Sequence, residues 1–405
     1  MEHLLFLQNQ IQTYPWGSRF WIPHMLRLPT PSDTPMAELW MGAHPKAPSL
    51  AVTKAQGPVP LTKLIEENPE WYVGKELAKE GATFPFLFKL LAAEQPLSIQ
   101  VHPSKAQAEE GFARENQEGI PLDAANRNYK DDNHKPEIIA ALSPFRALCG
   151  FRWEEEITTL FSWLEMPPLL PAIKALQERK SYTAFLQALF TISPETVQDI
   201  LRELHTRTLP SLTQKVPAYQ KEWETVQSFI NLYPRDITVL APLYLNLIDL
   251  EAGQALFLPS GILHAYVHGF GVELMANSDN VLRGGLTTKH MDPRELLRIL
   301  ENRPYDPPLL SPSPARDQKG SLLFYPSKAK EFRLGLVTGN LNNTELPAGL
   351  PLIICVVDGT MELKSDKERL VLHQGESAFV AATAQEPNVT GTGKAFFAMP
   401  NREFL

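Results

Sequence analysis

The sequence contains few cysteines, no long apolar run and no excess of positive charge. Only Cys149 and Cys355 occur among 405 residues, so a disulfide framework is excluded and a reducing compartment is expected. No apolar run approaches the roughly 18 residues that a membrane-spanning helix needs. The apolar stretch at residues 4–7 is too short for the core of a secretion signal. A soluble, cytoplasmic protein is therefore the expectation.

The charge balance argues against two classes of partner. Lys and Arg number 38 and Asp and Glu number 46, which gives a net charge of −8 at pH 7. A chain of this sign is not expected to bind nucleic acid or an anionic membrane surface. An anionic small ligand would need a local cluster of cations. The sequence leaves the oligomeric state open, and a monomer is compatible with it.

Strand-like and helical segments alternate along the chain. Residues 1–150 are interrupted by Pro and Gly between short apolar runs, which is typical of strands and loops. Helical periodicity follows: from Val197, apolar residues recur at i+3, i+4 and i+7 behind an N-cap at Ser193. Strand texture returns near residue 237 and continues beyond the proline-rich residues 302–319. The pattern predicts a mainly β fold with a helical insertion.

Two short segments of the strand-rich regions share a pattern. Residues 253–258 and 375–380 each begin with Gly and continue into an apolar strand. The strand of the first segment is expected to form a β-hairpin with residues 248–250. If the repeat reflects two related β-barrels, only the first is followed closely by a histidine, His264. The second barrel is therefore expected to lack a metal site.

Extended chain places two pairs of polar residues on shared faces. Side chains alternate along a strand, so Gln100 and His102 point the same way. Pro136 opposes a helix and disfavours the α region for the residue before it. Lys135 and Glu137 are therefore expected to share a face as well.

A further histidine completes a candidate metal set. The Pro and Gly of residues 259–261 form a turn that could return His264 across a barrel mouth. With Gln100, His102 and Glu137 it gives two imidazoles, one carboxylate and one amide oxygen, which suits zinc. Two histidines and one carboxylate are also compatible with an iron facial triad, so the metal stays open at this point.

Three cations could attract an anionic ligand to such a site. Lys89 lies within an apolar run, where an unpaired ammonium is costly to bury. It either reaches solvent from an edge strand or faces an anionic ligand. Arg283 precedes Gly284 and Gly285, which allow close approach of the backbone to a ligand. Lys135 lies two residues before a candidate ligand.

Six stretches occur in a characteristic order between about residue 10 and residue 290. They are residues 14–17 (YPWG), 37–42 (AELWMG), 96–103 (PLSIQVHP), 133–137 (NHKPE), 263–266 (LHAY) and 273–287 (ELMANSDNVLRGGLT). Together they resemble the type I mannose-6-phosphate isomerases, also called phosphomannose isomerases. The resemblance implies a zinc-dependent, cupin-type aldose–ketose isomerase with a helical insertion and a second jelly-roll domain.

The resemblance and the boundaries above predict three parts. A catalytic cupin (jelly-roll) barrel is expected from residues 1–152 and 236–320, and an α-helical domain from residues 153–235. Residues 321–405 are expected to form a cupin-like C-terminal domain without a metal site. One zinc ion per chain is therefore expected.

Carried over by motif, the resemblance also implies roles for individual residues. The zinc ligands are expected at Gln100, His102, Glu137 and His264. The substrate phosphate is expected near Lys89 and Ser98. The residues at the reacting end are expected to be His134, Lys135, Glu273, Asp279 and the active-site arginine, Arg283.

The implied reaction is the reversible interconversion of mannose 6-phosphate and fructose 6-phosphate. A proton leaves C2 and arrives at C1 through a cis-enediol, so a base must lie within about 3 Å of that proton. Lys135, Glu273 and Asp279 are each candidates for the base. Arg283 could clamp the phosphate or stabilise the charge of the enediolate.

Two rival functions fit parts of the same pattern. A metal-dependent cupin oxygenase would use His102, Glu137 and His264 on iron. Such a site needs open coordination positions and no phosphate clamp, so Gln100 and the three cations argue against it. A non-catalytic sugar-binding cupin is disfavoured because every candidate ligand and cation is present.

Overall fold

Two large antiparallel sheets organise the part of the chain that the computed structural model describes, residues 1–79, 81, 84–314 and 321–401. The strands are β1 Leu4–Gln8, β2 Gln10–Gln12, β3 Glu38–Met41, β4 Leu50–Thr53, β5 Gly57–Pro60, β6 Phe86–Ala93, β7 Ile99–Val101, β8 Glu137–Ala141, β9 Phe145–Phe151, β10 Leu245–Leu250, β11 Ala255–Leu258, β12 His264–Ala276, β13 Leu282–Gly285, β14 Leu309–Leu310, β15 Ser313–Pro314, β16 Leu322–Phe324, β17 Arg333–Glu345, β18 Leu352–Ser365, β19 Glu368–His373, β20 Ser377–Val380 and β21 Asn388–Met399.

Helices occupy the connections between the strands. They are α1 Trp21–Met25, α2 Leu61–Glu67, α3 Pro69–Val73, α4 Lys75–Lys79, α5 Lys105–Gln117, α6 Glu154–Ser162, α7 Leu170–Arg179, α8 Tyr182–Phe190, α9 Pro194–Glu203, α10 Leu209–Lys215, α11 Gln220–Leu232 and α12 Pro293–Ile299. In the described ranges, no helix has the length and apolar character needed to cross a membrane.

The helical insertion lies between the strands of one sheet, as the periodicity predicts. Helices α6 to α11 follow one another between β9 and β10. The predicted cap of α9 is confirmed, because the backbone N–H of Thr196 donates to Ser193 Oγ over 3.3 Å. The apolar faces of these helices pack into one buried cluster with residues of the eleven-stranded sheet, such as Val101 and Leu148. The prediction of a mainly β fold with a helical insertion is confirmed.

Strand β12 holds the eleven-stranded sheet together. Its residues 269–276 pair with β6 and β8, while its first residues pair with β7 and β9. One strand therefore carries His264 at its start and Glu273 near its end, with different neighbours beside each.

The predicted hairpin between residues 248–250 and 255–258 is wrong. β10 pairs with β9, whereas β11 pairs with β8 and β14. Between the two strands the backbone N–H of Gly253 donates to the carbonyl of Ala141 over 2.8 Å. The turn is therefore tied to the end of β8, and the chain crosses to that strand instead of folding back on β10.

The repeated local pattern does recur in the structure. Gly253 has φ +95° and Gly375 has φ +85°, a region that favours glycine. Each glycine is followed by a four-residue strand, β11 in the eleven-stranded sheet and β20 in the ten-stranded sheet. The pattern thus marks the same turn and strand in both sheets.

The ten-stranded sheet combines the two ends of the chain. β1 pairs with β20, for example Leu4 with Val380, and β4 and β5 extend the sheet beyond β1. Strands from the N-terminal region therefore complete a sheet that is otherwise built from strands β15 to β21. The bounds of the three predicted domains stay a prediction.

Candidate active site

Three strand ends bring two histidines and a glutamate together. His102 directly follows β7, Glu137 begins β8 and His264 begins β12. Their exposed fractions are 0%, 2% and 1%, and one ligating atom of each lies within 4.8 Å of the others. His102 Nε2 lies 3.4 Å from Glu137 Oε1, and His264 Nε2 lies 3.3 Å from Glu137 Oε2. The prediction that the turn at residues 259–261 returns His264 toward the other candidate ligands is confirmed.

The second ring nitrogen of each histidine fixes its tautomer. His102 Nδ1 lies 2.7 Å from the carbonyl oxygen of Asn280, and His264 Nδ1 lies 2.9 Å from that of Ile262. A carbonyl only accepts hydrogen bonds, so each Nδ1 carries the proton and each Nε2 presents a lone pair. Both Nε2 atoms and Glu137 Oε2 are buried, and among the described residues none forms a hydrogen bond to them. Buried acceptors without donors fit a divalent cation.

The ionisation states match those of metal ligands. Burial lowers the pKa of His102 to about 4, although the Glu137 carboxylate opposes this shift. Burial raises the pKa of Glu137, but Lys135 and His102 outweigh burial and hold it well below its usual range. At neutral pH His102 is therefore a neutral imidazole and Glu137 a carboxylate, the forms that bind a metal.

Gln100 lies beside this group on β7. Its Cα is in register with His264 on one side and with Arg283 on the other. Its half-buried side chain lines a cavity of about 290 Å³ next to Glu137. The placement suits an additional ligand, and the assignment of Gln100 as a zinc ligand stays a prediction.

Lys135 joins the metal group to the cavity. Its Nζ lies 2.8 Å from Glu137 Oε1, which confirms that these two residues share a face. Lys135 is 8% exposed and lines the same cavity. A cation therefore lies in direct contact with the candidate ligand carboxylate.

Lys89 belongs to a buried chain of polar contacts along the cavity. Its Nζ lies 3.0 Å from Glu38 Oε1 and 2.5 Å from Glu273 Oε2. Tyr266 donates its hydroxyl to Glu273 over 2.7 Å, and Trp40 donates its indole N–H to Glu38 over 2.7 Å. Burial lowers the pKa of Lys89, but the two carboxylates outweigh it and raise the pKa above its ordinary value. Because Lys89 is 6% exposed, the solvent-reaching alternative is wrong.

A second group of cations lines the cavity. Arg283, Lys130 and Lys289 all contribute to its wall. Burial lowers the pKa of Lys289, and the positive charges of Arg283 and Lys130 add to this shift. Across the described ranges, the side chains of these three residues form no ion pair. This cation group, Arg283, Lys130 and Lys289, is therefore free to receive an anion.

Comparisons with known proteins give the family. The profile of the phosphomannose isomerase type I catalytic domain matches residues 4–154, and that of the mannose-6-phosphate isomerase cupin domain matches residues 343–400. Mannose-6-phosphate isomerase of Salmonella typhimurium is 39% identical over 96% of this chain and 97% of its own length. The chain belongs to the type I phosphomannose isomerases. The resemblance inferred from the six motifs is confirmed.

Other phosphomannose isomerases are similar over much of the chain. The human mannose-6-phosphate isomerase is 32% identical over 80% of this chain and 76% of its own length. A crystal structure of the Salmonella typhimurium enzyme bound to fructose 6-phosphate and zinc has a TM-score of 0.81 and 37% identity. It covers 99% of this chain and 100% of that chain. The predicted cupin fold class is confirmed with the family.

Most residues that the phosphomannose isomerase motifs imply meet at this cavity. Those that line it are Lys89, Gln100, Lys135, Glu137, Glu273, Asp279 and Arg283. Ser98 is half-buried before β7 and is not among the lining residues. His134 does not line the cavity either, and its Nε2 lies 2.6 Å from Glu331 Oε1. His102 and His264 lie behind Glu137 in the metal group and are not lining residues. The roles predicted for all these residues stay predictions.

The sequence did not predict several polar residues of the cavity, among them Glu38, Tyr266, Lys130 and Lys289. Glu38 and Tyr266 lie inside two of the phosphomannose isomerase motifs, so the motifs held a signal for them. Lys130 and Lys289 lie in no pattern that predicts a site. Only the folded arrangement brings these two lysines to Arg283.

Proposed function

We propose that this chain is a zinc-dependent aldose–ketose isomerase that interconverts mannose 6-phosphate and fructose 6-phosphate through a cis-enediol. The observation that carries the proposal is the group of three buried ligand atoms on His102, Glu137 and His264, beside a polar cavity and without a hydrogen-bond partner among the residues that the structure describes. The match to the Salmonella typhimurium enzyme bound to fructose 6-phosphate and zinc supports the same reaction.

In this proposal the chain holds one zinc ion. His102, Glu137 and His264 would bind it, and Gln100 would complete the ligand set. When bound, zinc supplies a Lewis acid that stabilises negative charge developing on the sugar oxygens without a change of redox state. The carbonyl groups of Asn280 and Ile262 keep both imidazoles in the ligating tautomer.

The pKa shifts of Glu273 and Asp279 favour Glu273 as the base. Burial raises the pKa of Glu273 despite its contact with Lys89. Burial also acts on Asp279, but the bond from Lys46 outweighs it and leaves the pKa of Asp279 below its ordinary value. A base works best when its pKa lies near the working pH. We therefore place Glu273 ahead of Asp279, with Lys135 as the alternative base.

The substrate phosphate is best placed at Lys130 and Lys289, the two lysines of the cation group, which leaves Arg283 for the reacting end. The resemblance implies that Lys89 and Ser98 hold the phosphate. Lys89, however, already forms ion pairs with the carboxylates of Glu38 and Glu273. Lys130 and Lys289 line the same cavity, and within the part of the chain that the structure describes no ion pair neutralises either of them. A phosphate dianion approaching a chain of net charge −8 needs this local attraction.

Replacement of Lys289 should weaken substrate binding more than it slows turnover. In Lys289→Ala the KM for mannose 6-phosphate is expected to rise on the order of tenfold, because one cation that contacts the phosphate in both ground and transition states is lost. Steady-state kinetics at two salt concentrations measure this. Lys174→Ala, an exposed lysine of α7, is the control and should keep the KM. An unchanged KM in Lys289→Ala would show that the phosphate binds elsewhere.

The proposed activity has a direct test. The purified, zinc-loaded chain is expected to form fructose 6-phosphate from mannose 6-phosphate in a coupled assay, with a kcat in the usual range of roughly 1–1000 s⁻¹. Unphosphorylated mannose is the matched control and should be turned over poorly. Binding of mannose 6-phosphate without product would indicate a non-catalytic protein. Oxygen consumption by an iron-loaded sample would indicate the oxygenase.

A cytoplasmic location is part of the proposal. Cys149 and Cys355 are both free and buried. Burial raises the pKa of the Cys355 thiol to about 12 and raises that of Cys149 as well. Neither forms a thiolate readily at neutral pH, which fits a chain that does not depend on disulfides.

A further inference from the structure

One carboxylate close to the cavity joins two loops of the active site. Asp131 Oδ1 accepts hydrogen bonds from the backbone N–H of Asn133, the hydroxyl of Ser278 and the side-chain amide of Asn280, over 3.0, 2.8 and 3.1 Å. Its Oδ2 accepts from the backbone N–H of Asp279 over 2.7 Å. Both oxygens of Asp131 therefore hold the segment around residues 278–280 against residues 131–133.

Asn280 forms further hydrogen bonds with the backbone of residues 130–133. Its side chain is 0% exposed, and its Nδ2 also donates to the carbonyls of Asp131 and Asn133 over 2.8 and 2.9 Å. Its Oδ1 accepts from the backbone N–H of Lys130 over 2.7 Å. With its amide fully engaged, Asn280 has little freedom to rotate or shift.

The backbone of Asn280 acts directly on the metal group. Its carbonyl accepts the Nδ1 proton of His102 over 2.7 Å. This bond sets both the tautomer and the ring orientation of His102, and so the direction of the Nε2 lone pair. A displacement of Asn280 would therefore turn a candidate zinc ligand away from Glu137 and His264.

We propose that Asp131 is a positioning residue that sets the affinity of the site for zinc, acting through Asn280 on His102. The proposal rests on the proposed function, since it assumes that His102 binds the metal. A carboxylate is required because four donors converge on its two oxygens and it carries no proton of its own. An asparagine would turn an NH₂ group toward one of these donors.

The test compares the zinc affinity of Asp131→Asn with that of the unchanged chain. Competition with a chromophoric chelator is expected to show an affinity for zinc about 10-fold weaker in the variant, the lower end of the effect of losing a direct partner of a ligating histidine, because Asp131 acts through Asn280. The visible spectrum of the cobalt-loaded variant should change as well, because the orientation of one ligand changes. Thermal unfolding of the zinc-free proteins should differ by only a few degrees.

The matched control is the neighbouring residue. Asp132 has the same side chain, is 62% exposed and pairs with Lys105 instead of the loop around residue 280. Asp132→Asn should keep the zinc affinity and the cobalt spectrum of the unchanged chain. An equal loss of affinity in Asp132→Asn would overturn the proposal, because the effect would then come from charge alone.

The remaining outcomes separate this proposal from the proposed function. If the unchanged chain binds no zinc, the proposed function itself fails. If it binds zinc and Asp131→Asn binds it equally well, the positioning role is wrong and the function stands. Should Asp131→Asn fail to fold, Ser278→Ala decides: it removes one donor and keeps the carboxylate. Zinc affinity about threefold weaker is then expected, and an unchanged affinity overturns the proposal.

Discussion

Chelation of the metal should abolish the turnover of mannose 6-phosphate and leave both sheets folded. The charge that develops on the sugar oxygens loses a stabilisation of several kcal/mol, so the rate should fall on the order of a thousandfold or more. The fold should persist because the metal group lies at strand ends, while the buried apolar clusters lie within and between the sheets. The coupled assay and circular dichroism, before and after chelation and after zinc is restored, measure the two effects.

Histidine variants on one strand provide the control for the metal. His264→Ala should lose the bound zinc, whereas His268→Ala, an exposed histidine four residues further along β12, should keep it. Metal analysis is expected to give one ion per chain, since His102, Glu137 and His264 are the one such group among the residues that the structure describes. Two ions per chain, full activity after chelation, or global unfolding at room temperature would each contradict the proposal.

Contacts between residues close in sequence were predictable. Strand alternation around Pro136 placed Lys135 beside Glu137, and their side chains lie 2.8 Å apart. The Pro/Gly turn before His264 likewise returned that residue to the metal group. For Lys135 and Glu137 the local backbone conformation alone decides that the side chains share a face. For His264 the turn gives the direction of the chain, and the pairing of β12 with β7 and β9 brings the histidine to the other two ligands.

Contacts set by strand pairing were not predictable. The two carboxylates around Lys89 come from β3 and β12, which flank β6 with Trp40 and Glu273 in register with Lys89. Nothing within ten residues of Lys89 carries this information. The wrong hairpin has the same origin, since the turn at Gly253 is compatible with several partners and the sheet selects β8 for the strand that follows it.

Replacement of Arg283 should lower kcat itself. The Cα of Arg283 lies in register with that of Gln100, next to the metal group, and its half-buried side chain lines the cavity. Burial lowers the pKa of Arg283, and across the described ranges it has no carboxylate partner. Because no carboxylate of those ranges neutralises it, the guanidinium group of Arg283 can stabilise a negative charge on the bound sugar. It could serve the enediolate, which forms only during the reaction, or the phosphate, which is bound throughout.

The two roles give different kinetics. A pure phosphate clamp predicts a large rise in KM with little change in kcat, because ground state and transition state lose the same interaction. A contact with the enediolate predicts a fall in kcat by a factor of about 100 to 1000, the usual cost of losing one preorganised donor of this kind. Because Arg283 neighbours Gln100 and the metal group, we expect the second result for Arg283→Ala. Lys289→Ala provides the contrasting pattern in the same cavity, and Arg283→Lys, which keeps the charge, should recover part of kcat. A normal kcat of Arg283→Ala at saturating mannose 6-phosphate would show that Arg283 only binds the phosphate and does not stabilise the enediolate.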